Sequence, residues 1–550
     1  MQTLDTDTPA TGREIEVAGA NWRANLDALR QTQHGLADTL AESDVGWRWT
    51  LARDGSLTAL DDSGQWWGAC SVPCLAAREL LRKLEAVGTA AYVCPTHGAE
   101  LEVALERLSP RQAVIAIVPV MKDLAVMLHC ANLSQAIRGH RLWFAAGDGW
   151  EQELGFLLDG LPGLPVPQDF IRTKLLDDET FFRMSCSAQR VLSGALGRRH
   201  RMLQEARSHG RHAGADRVVV VAPSGFRLWD DAGRVLEEVL RHAAPAILDP
   251  DDPAQSTGLA VALACKDATG LVVPNRTRRE LGEFVPDELP IVSWLTVPLV
   301  PPFSQGMERD GLIVAHPSWV DLARRAGWPD ERIVVGGWPA TGAGKDVQPG
   351  GLAIIADTSQ IEPPRRAVDL SSHRLLWEMI DGEMNRDPFV VAGDVQAYLG
   401  SRMRRLGISP EGFDPRPFVE DLILPAYQQG LASILHKAGL PLALYGRGWN
   451  RVESLAACWR GQINDRVELE RCARSSVALV HVWPSRHAHA IEAVGRPVVR
   501  AVSASALVAE AKRALAGELP VAPSVPPISH EMIRSLLGRG GPRRTVDSPG

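Results

Sequence analysis

Apolar runs of four to six residues recur along the chain, each closed by glycine, proline or a small polar residue and followed by a segment with helical spacing. Runs of this kind suit parallel strands buried on both faces, and their alternation with helices predicts α/β domains. Ala90–Cys94 and Ala113–Val118 read as strands around a helix over Glu100–Leu108, the order of a Rossmann-like half. Before them, a helical pattern over Asn21–Leu40 and two short strands, Trp47–Leu51 and Ser56–Leu60 about the turn Asp54-Gly55, predict a small α+β preface. Leu164–Gly214 reads as largely helical, with a basic, linker-like end at Arg198-Arg-His-Arg201.

A second alternating unit starts with the four valines of Arg217–Ala222 and continues through strands at Ala246–Leu248, Gly270–Val273, Leu289–Trp294, Gly311–Ala315 and Ile333–Val335. Ala340–Gly351 is rich in glycine and reads as a joint between domains. Its Gly-Ala-Gly-Lys345 is no phosphate loop, because neither the motif's spacing nor a Ser/Thr after the lysine is present. Strands at Leu352–Ala356, Leu440–Tyr445, Val477–Val482 and Pro497–Arg500 form a third unit, interrupted by a helix-rich insert over Asp394–Ala438. Ser371 has the look of an N-cap for a long helix. The expected domains are 1–212, 215–340 and 351–520, with 521–550 as a flexible tail.

Bulk properties narrow the function classes. Length alone, 550 residues, predicts three or four domains. A formal charge of −7, with no long basic block, argues against a nucleic-acid partner. The eight cysteines, at 70, 74, 94, 130, 186, 265, 458 and 472, lie mostly in apolar stretches, and Cys70-x-x-x-Cys74 lacks the second pair a structural zinc needs. The N-terminus has no secretory pattern and no run approaches the length of a membrane span, so the expected location is the cytoplasm, with no transmembrane segment.

The chemistry concentrates in Leu440–Arg500. There a strand breaks at Gly446-Arg447-Gly448-Trp449, and a second strand leads through Ser485 into a helical run containing His487, His489 and Glu492 that ends at Gly495-Arg-Pro-Val-Val499. A nucleotide diphosphate needs backbone N–H donors, a helix N-terminus at the end of parallel strands and a nearby cation. Gly446 and Gly448 would allow the turn, Arg447 would supply the cation, and Ser485 would cap the helix. This pattern resembles the nucleotide-sugar half of two-domain glycosyltransferases, closest to the spore-maturation-type glycosyltransferase-like family. The N-terminal region is similar in outline to motility accessory factor proteins, which are associated with flagellin glycosylation.

The resemblance implies two facing Rossmann-like domains, a GT-B-like architecture, preceded by an additional α/β Rossmann-like domain. It implies transfer of a sugar from a nucleotide-sugar donor to a protein or glycan acceptor, without a cofactor or a required metal. No Asp-x-Asp pair stands at a strand end. Three departures stand against it. Glu492 lies three residues before Gly495, where the family has Glu-Ala-x-x-x-Gly-x-Pro, so either the turn is shorter or the ribose contact is lost. Trp294 is followed by Leu295-Thr-Val-Pro298, where the family has an aspartate. The turn Pro95-Thr-His97-Gly98 keeps one glycine where a cofactor-binding turn has several. No general base is assigned; Asp357, His316 and His373 form the pool, with Asp357 and His373 expected at the rim of a cleft, while His97 reads as a solvated loop residue. The competing readings are a catalytically inactive binding scaffold of the same fold and a methyltransferase-like enzyme acting through the N-terminal domain.

Overall fold

The computed structural model of the chain describes residues 12–42, 46–61, 63–82, 84, 88–109, 111–173, 176–208, 217–223, 232–339, 350–358, 367–368, 370–391, 394–410, 413–480, 494–500, 502–521 and 525–538. Most of the joint over 340–351 lies outside them. The chain forms two compact units, one of residues 1–210 with 248–266, the other of 211–247 with 267–550.

In the first unit, strands β1 (Arg48–Leu51) and β2 (Leu57–Leu60) pair antiparallel around Gly55. A four-stranded parallel sheet follows, built from β3 (Ala90–Val93), β4 (Val114–Val118), β5 (Leu142–Ala146) and β6 (Asp169–Arg172) in the order β5-β4-β3-β6. Residues of β3, β4 and β5 are buried on both faces, which is why β3 and β4 read plainly as apolar runs; β5, equally buried, is not among the expected strands. The sequence differs from the structure in two further places here. The pattern over Asn21–Leu40 is two helices, Gly12–Thr32 and His34–Ala41, broken at Gln33, whose side chain bonds both backbone groups of Phe144. The stretch expected to be largely helical from Leu164 contains β6 before its long helix, Asp178–Ser208.

The second unit holds two sheets. The first contains β7 (Val218–Val221), β8 (Ala246–Leu248), β9 (Gly270–Pro274), β10 (Ile291–Leu295), β11 (Gly311–Val314) and β12 (Ile333–Val335), in the order β12-β11-β10-β9-β7-β8. The second contains β13 (Leu352–Ile355), β14 (Leu442–Tyr445), β15 (Trp459–Gly461), β16 (Ala478–Val480) and β17 (Val498–Val499), all parallel, in the order β15-β14-β13-β16-β17. Read in chain order the latter is 3-2-1-4-5, the doubly wound Rossmann order without its sixth strand, with its switch point between β13 and β16. The chain is thus an α/β protein of Rossmann-like parallel sheets.

The insert's helices Val395–Arg405 and Leu424–Lys437 pack with the preceding helix Ser371–Arg386 into one apolar cluster with β13 and β14. Ser371 is not a cap. Leu370 holds that position and makes no side-chain bond to the helix.

The expected flexible tail needs correcting. Residues 525–538 return to the six-stranded sheet, where Ile528, Ile533 and Leu536 are buried in its core and the helix His530–Gly538 lies against β10 and β11. The backbone of Gly337 brackets this return, donating to the Pro526 carbonyl at 2.8 Å and accepting from Ile528 N–H at 2.7 Å.

Candidate functional site

The site grows from the carboxyl ends of β13 and β14. Both strands are apolar and close-paired, so their ends emerge side by side, next to the switch point. The chain leaves β14 through Gly446 and Gly448, with φ of 125° and 86°, conformations a side chain would strain. A Cβ at Gly446 would strike the Ala356 carbonyl, and one at Gly448 the Thr358 hydroxyl, so both glycines let this turn press against the end of β13.

Polar bonds then fix the turn. Arg447 N–H donates to the Asp357 carboxylate at 2.6 Å, and Thr358 N–H donates to the Arg447 carbonyl at 3.0 Å. The buried Trp449 indole donates to Ala356 O at 2.6 Å, and Trp459 donates to Gly446 O at 2.9 Å. Asp357, which sequence placed in the pool of bases, is therefore engaged in holding the turn. The turn's own N–H at 447 is spent on it, while the Arg447 side chain is exposed. Ser485, His487, His489 and Glu492 lie outside the described residues.

Unit 2 contributes a further group from its other sheet. His316, 8 % exposed, follows β11 and caps the one-turn helix Pro317–Trp319. Its Nδ1 accepts from Ser318 N–H at 3.2 Å and lies 2.6 Å from the Ser318 hydroxyl. A backbone N–H only donates, so the ring proton is on Nε2. Burial, and then the charge of Arg500 beyond β17, pull His316 down to about 4. At neutral pH it is a neutral hydrogen-bond donor and a poor base. Arg500 escaped sequence reasoning, although a basic residue closing an apolar strand is a readable signal.

Two other expected positions are structural. His373, half-buried, packs edge-on against Phe413, with ring centroids 5.2 Å apart. Trp294 is wholly buried and its indole donates to Gly336 O. The strand end beyond it, where an acid was missing, is tied by Thr296 N–H to Asn275 Oδ1 at 2.7 Å and by Asn275 Nδ2 to the Thr296 hydroxyl at 2.8 Å.

In unit 1 the corresponding crevice, between β3 and β6, is filled by the chain itself. The hydroxyls of Thr96 and Thr173 meet across it at 3.1 Å. Trp67 donates from its indole to Thr96 O at 2.6 Å, and a Cβ on Gly68 would land on the Thr96 methyl and 2.7 Å from His97 Nε2. His97, expected to be solvated, is 4 % exposed, held down to about 4 chiefly by burial, and its Nε2 has no hydrogen-bond partner among the described residues. Burial also pushes Glu100, which accepts from Thr96 N–H, up to about 7. Gly98 makes room for Ala131 and the Met127 carbonyl of the neighbouring helix, so its missing side chain serves helix packing.

Among the described residues no cluster of His, Cys, Asp and Glu is arranged to hold a metal, and no helix is long and apolar enough to cross a membrane. No protein-family model matches the chain, and no curated protein matches it. Among solved structures it is similar to the MAf glycosyltransferase from Magnetospirillum magneticum AMB-1, at 13 % identity with a TM-score of 0.25, over 60 % of this chain and 57 % of that one. A correspondence at that level carries no functional argument.

Proposed function

We propose that unit 2 is a cytoplasmic glycosyltransferase that binds a nucleotide-sugar donor at the five-stranded sheet and passes the sugar to a protein or glycan acceptor without a required metal. The observation that carries this reading is the exposed Arg447 on a pinned glycine turn, at a strand end beside a topological switch point. A guanidinium held there suits a diphosphate, because a charge-assisted pair forms with little further ordering of the backbone. Ser485, His487, His489 and Glu492 would complete the site from the segment after β16. His316 and Arg500 suit donation to an anionic leaving group, where developing charge is stabilised by preset donors.

Calorimetry with uridine, guanosine, cytidine and thymidine diphospho-sugars tests the proposal. Arg447→Ala should weaken donor binding by about 1.5 to 3 kcal/mol while leaving the fold intact. Equal affinity in both proteins, or no binding by the wild type, would leave the scaffold reading in its place. Group transfer through unit 1 is disfavoured by the Trp67-Gly68 segment in its crevice. Accordingly, S-adenosylmethionine should leave the melting temperature unchanged, whereas a ligand specific to the native state would raise it.

A further inference from the structure

The helix Ala232–Val239 in unit 2 is two-faced. Val235 and Leu236 are buried, while Arg234, Glu237 and Glu238 are exposed, as is Arg241 beyond its end. On a solvated helix the spacings Arg234/Glu238 and Glu237/Arg241 would favour ion pairs, since residues four apart are neighbours. None of the four forms an ion pair with a described residue. Instead they line an open pocket of about 510 Å³ together with Pro245, Ile247 and Arg466. Arg466 is itself steadied by Glu470, 3.9 Å away and 2 % exposed.

Such a volume falls in the small-molecule range, but the lining is mostly charged where such pockets are usually apolar. A simple anion would face two carboxylates, a simple cation three guanidinium groups, and an apolar ligand would strand all five charges. A ligand rich in hydroxyls meets neither difficulty. Each hydroxyl donates to a carboxylate and accepts from a guanidinium, and the C–H face of a sugar ring can lie on Pro245 and Ile247. We propose that this pocket binds a saccharide through its hydroxyls. The proposal rests on the pocket's own side chains and is independent of the sugar-nucleotide reading.

Saturation-transfer NMR on the full chain tests it, with glucose, galactose, N-acetylglucosamine and glucuronate as probes and inorganic phosphate as a competitor. At least one sugar should bind the wild type and Arg447→Ala alike. Its affinity should fall roughly tenfold or more in Glu238→Gln and in Arg241→Ala, the size of losing one charge-assisted bond. Both substitutions are at exposed positions, and unchanged circular dichroism melts would establish that the fold is retained. The proposal is overturned by the absence of sugar binding, by binding that survives both pocket substitutions, by displacement with phosphate, or by loss of binding in Arg447→Ala.

Discussion

His316 is oriented by Ser318, whose N–H and hydroxyl both meet Nδ1. With burial and Arg500 keeping the ring neutral down to about 4, the folded chain refuses a proton that the unfolded chain accepts near 6.5. A depressed histidine therefore contributes stability that is complete above pH 6.5 and is lost as pH falls towards 4. The loss reaches about 2 to 3 kcal/mol by pH 4 for one such group. In urea unfolding between pH 7 and 4.5, His316→Gln should lose less stability than the wild type, by a margin that widens with acidity. His97 has the same window and Glu100 the opposite sign, since its raised value favours the fold at low pH and costs stability as pH rises through about 7. Both are present in the two proteins, so their effects cancel in the comparison, and parallel pH curves would refute the assignment for His316.

The returning helix His530–Gly538 shows how one element closes a sheet. Leu536 is wholly buried, and a Cβ at Gly311 would come within 2.9 Å of it, so the helix fits only because β11 begins with glycine. Leu536→Ala should cost about 2 to 5 kcal/mol, the range for a buried leucine whose cavity cannot fully collapse; a loss under about 0.5 kcal/mol would mean the helix is not docked in solution. Sequence missed this helix because it follows Pro520, Pro523, Pro526 and Pro527, the signature of a tail. It also missed β5, although its run is apolar and buried, and β6 and β15, short strands carrying Asp169, Arg172 and Arg460 and only partly buried, so that no apolar run marks these two. The central strands were legible because burial on both faces leaves a local trace in the sequence. The break at Gly446-Arg447-Gly448 was legible for the same reason, through its contrast with the run before it. What Trp67 meets was not legible, since its partner Thr96 is 29 residues away and no local pattern encodes that contact.

Between its two compact units the chain crosses three times, because residues 248–266 count with the first unit while the segments on either side belong to the second. Within the first unit that segment is bound by several independent contacts. Arg111 pairs with Asp251 at 2.5 Å, and His140 Nδ1 lies 3.0 Å from both carboxylate oxygens of Asp252. Thr257 donates its N–H to Gly163 O and its hydroxyl to Pro162 O, and Ala254 packs on the core that includes Leu164. Gly163 is the tightest point, where a Cβ would strike the Ala254 carbonyl and come within 2.8 Å of Gln255 Cα. Backbone on both sides leaves little room to yield, so Gly163→Val in the full chain should cost about 1 to 3 kcal/mol by overpacking. The damage should be local, because the five-stranded sheet has its own core. Hydrogen exchange checks this: amides of helix Gly258–Cys265, and of the Asp178–Ser208 helix it packs against, should exchange faster in the variant, with β13 and β14 unchanged. Unaltered exchange over 248–266 would show that the segment does not depend on this contact, and faster exchange throughout would show that the first unit cannot loosen by itself.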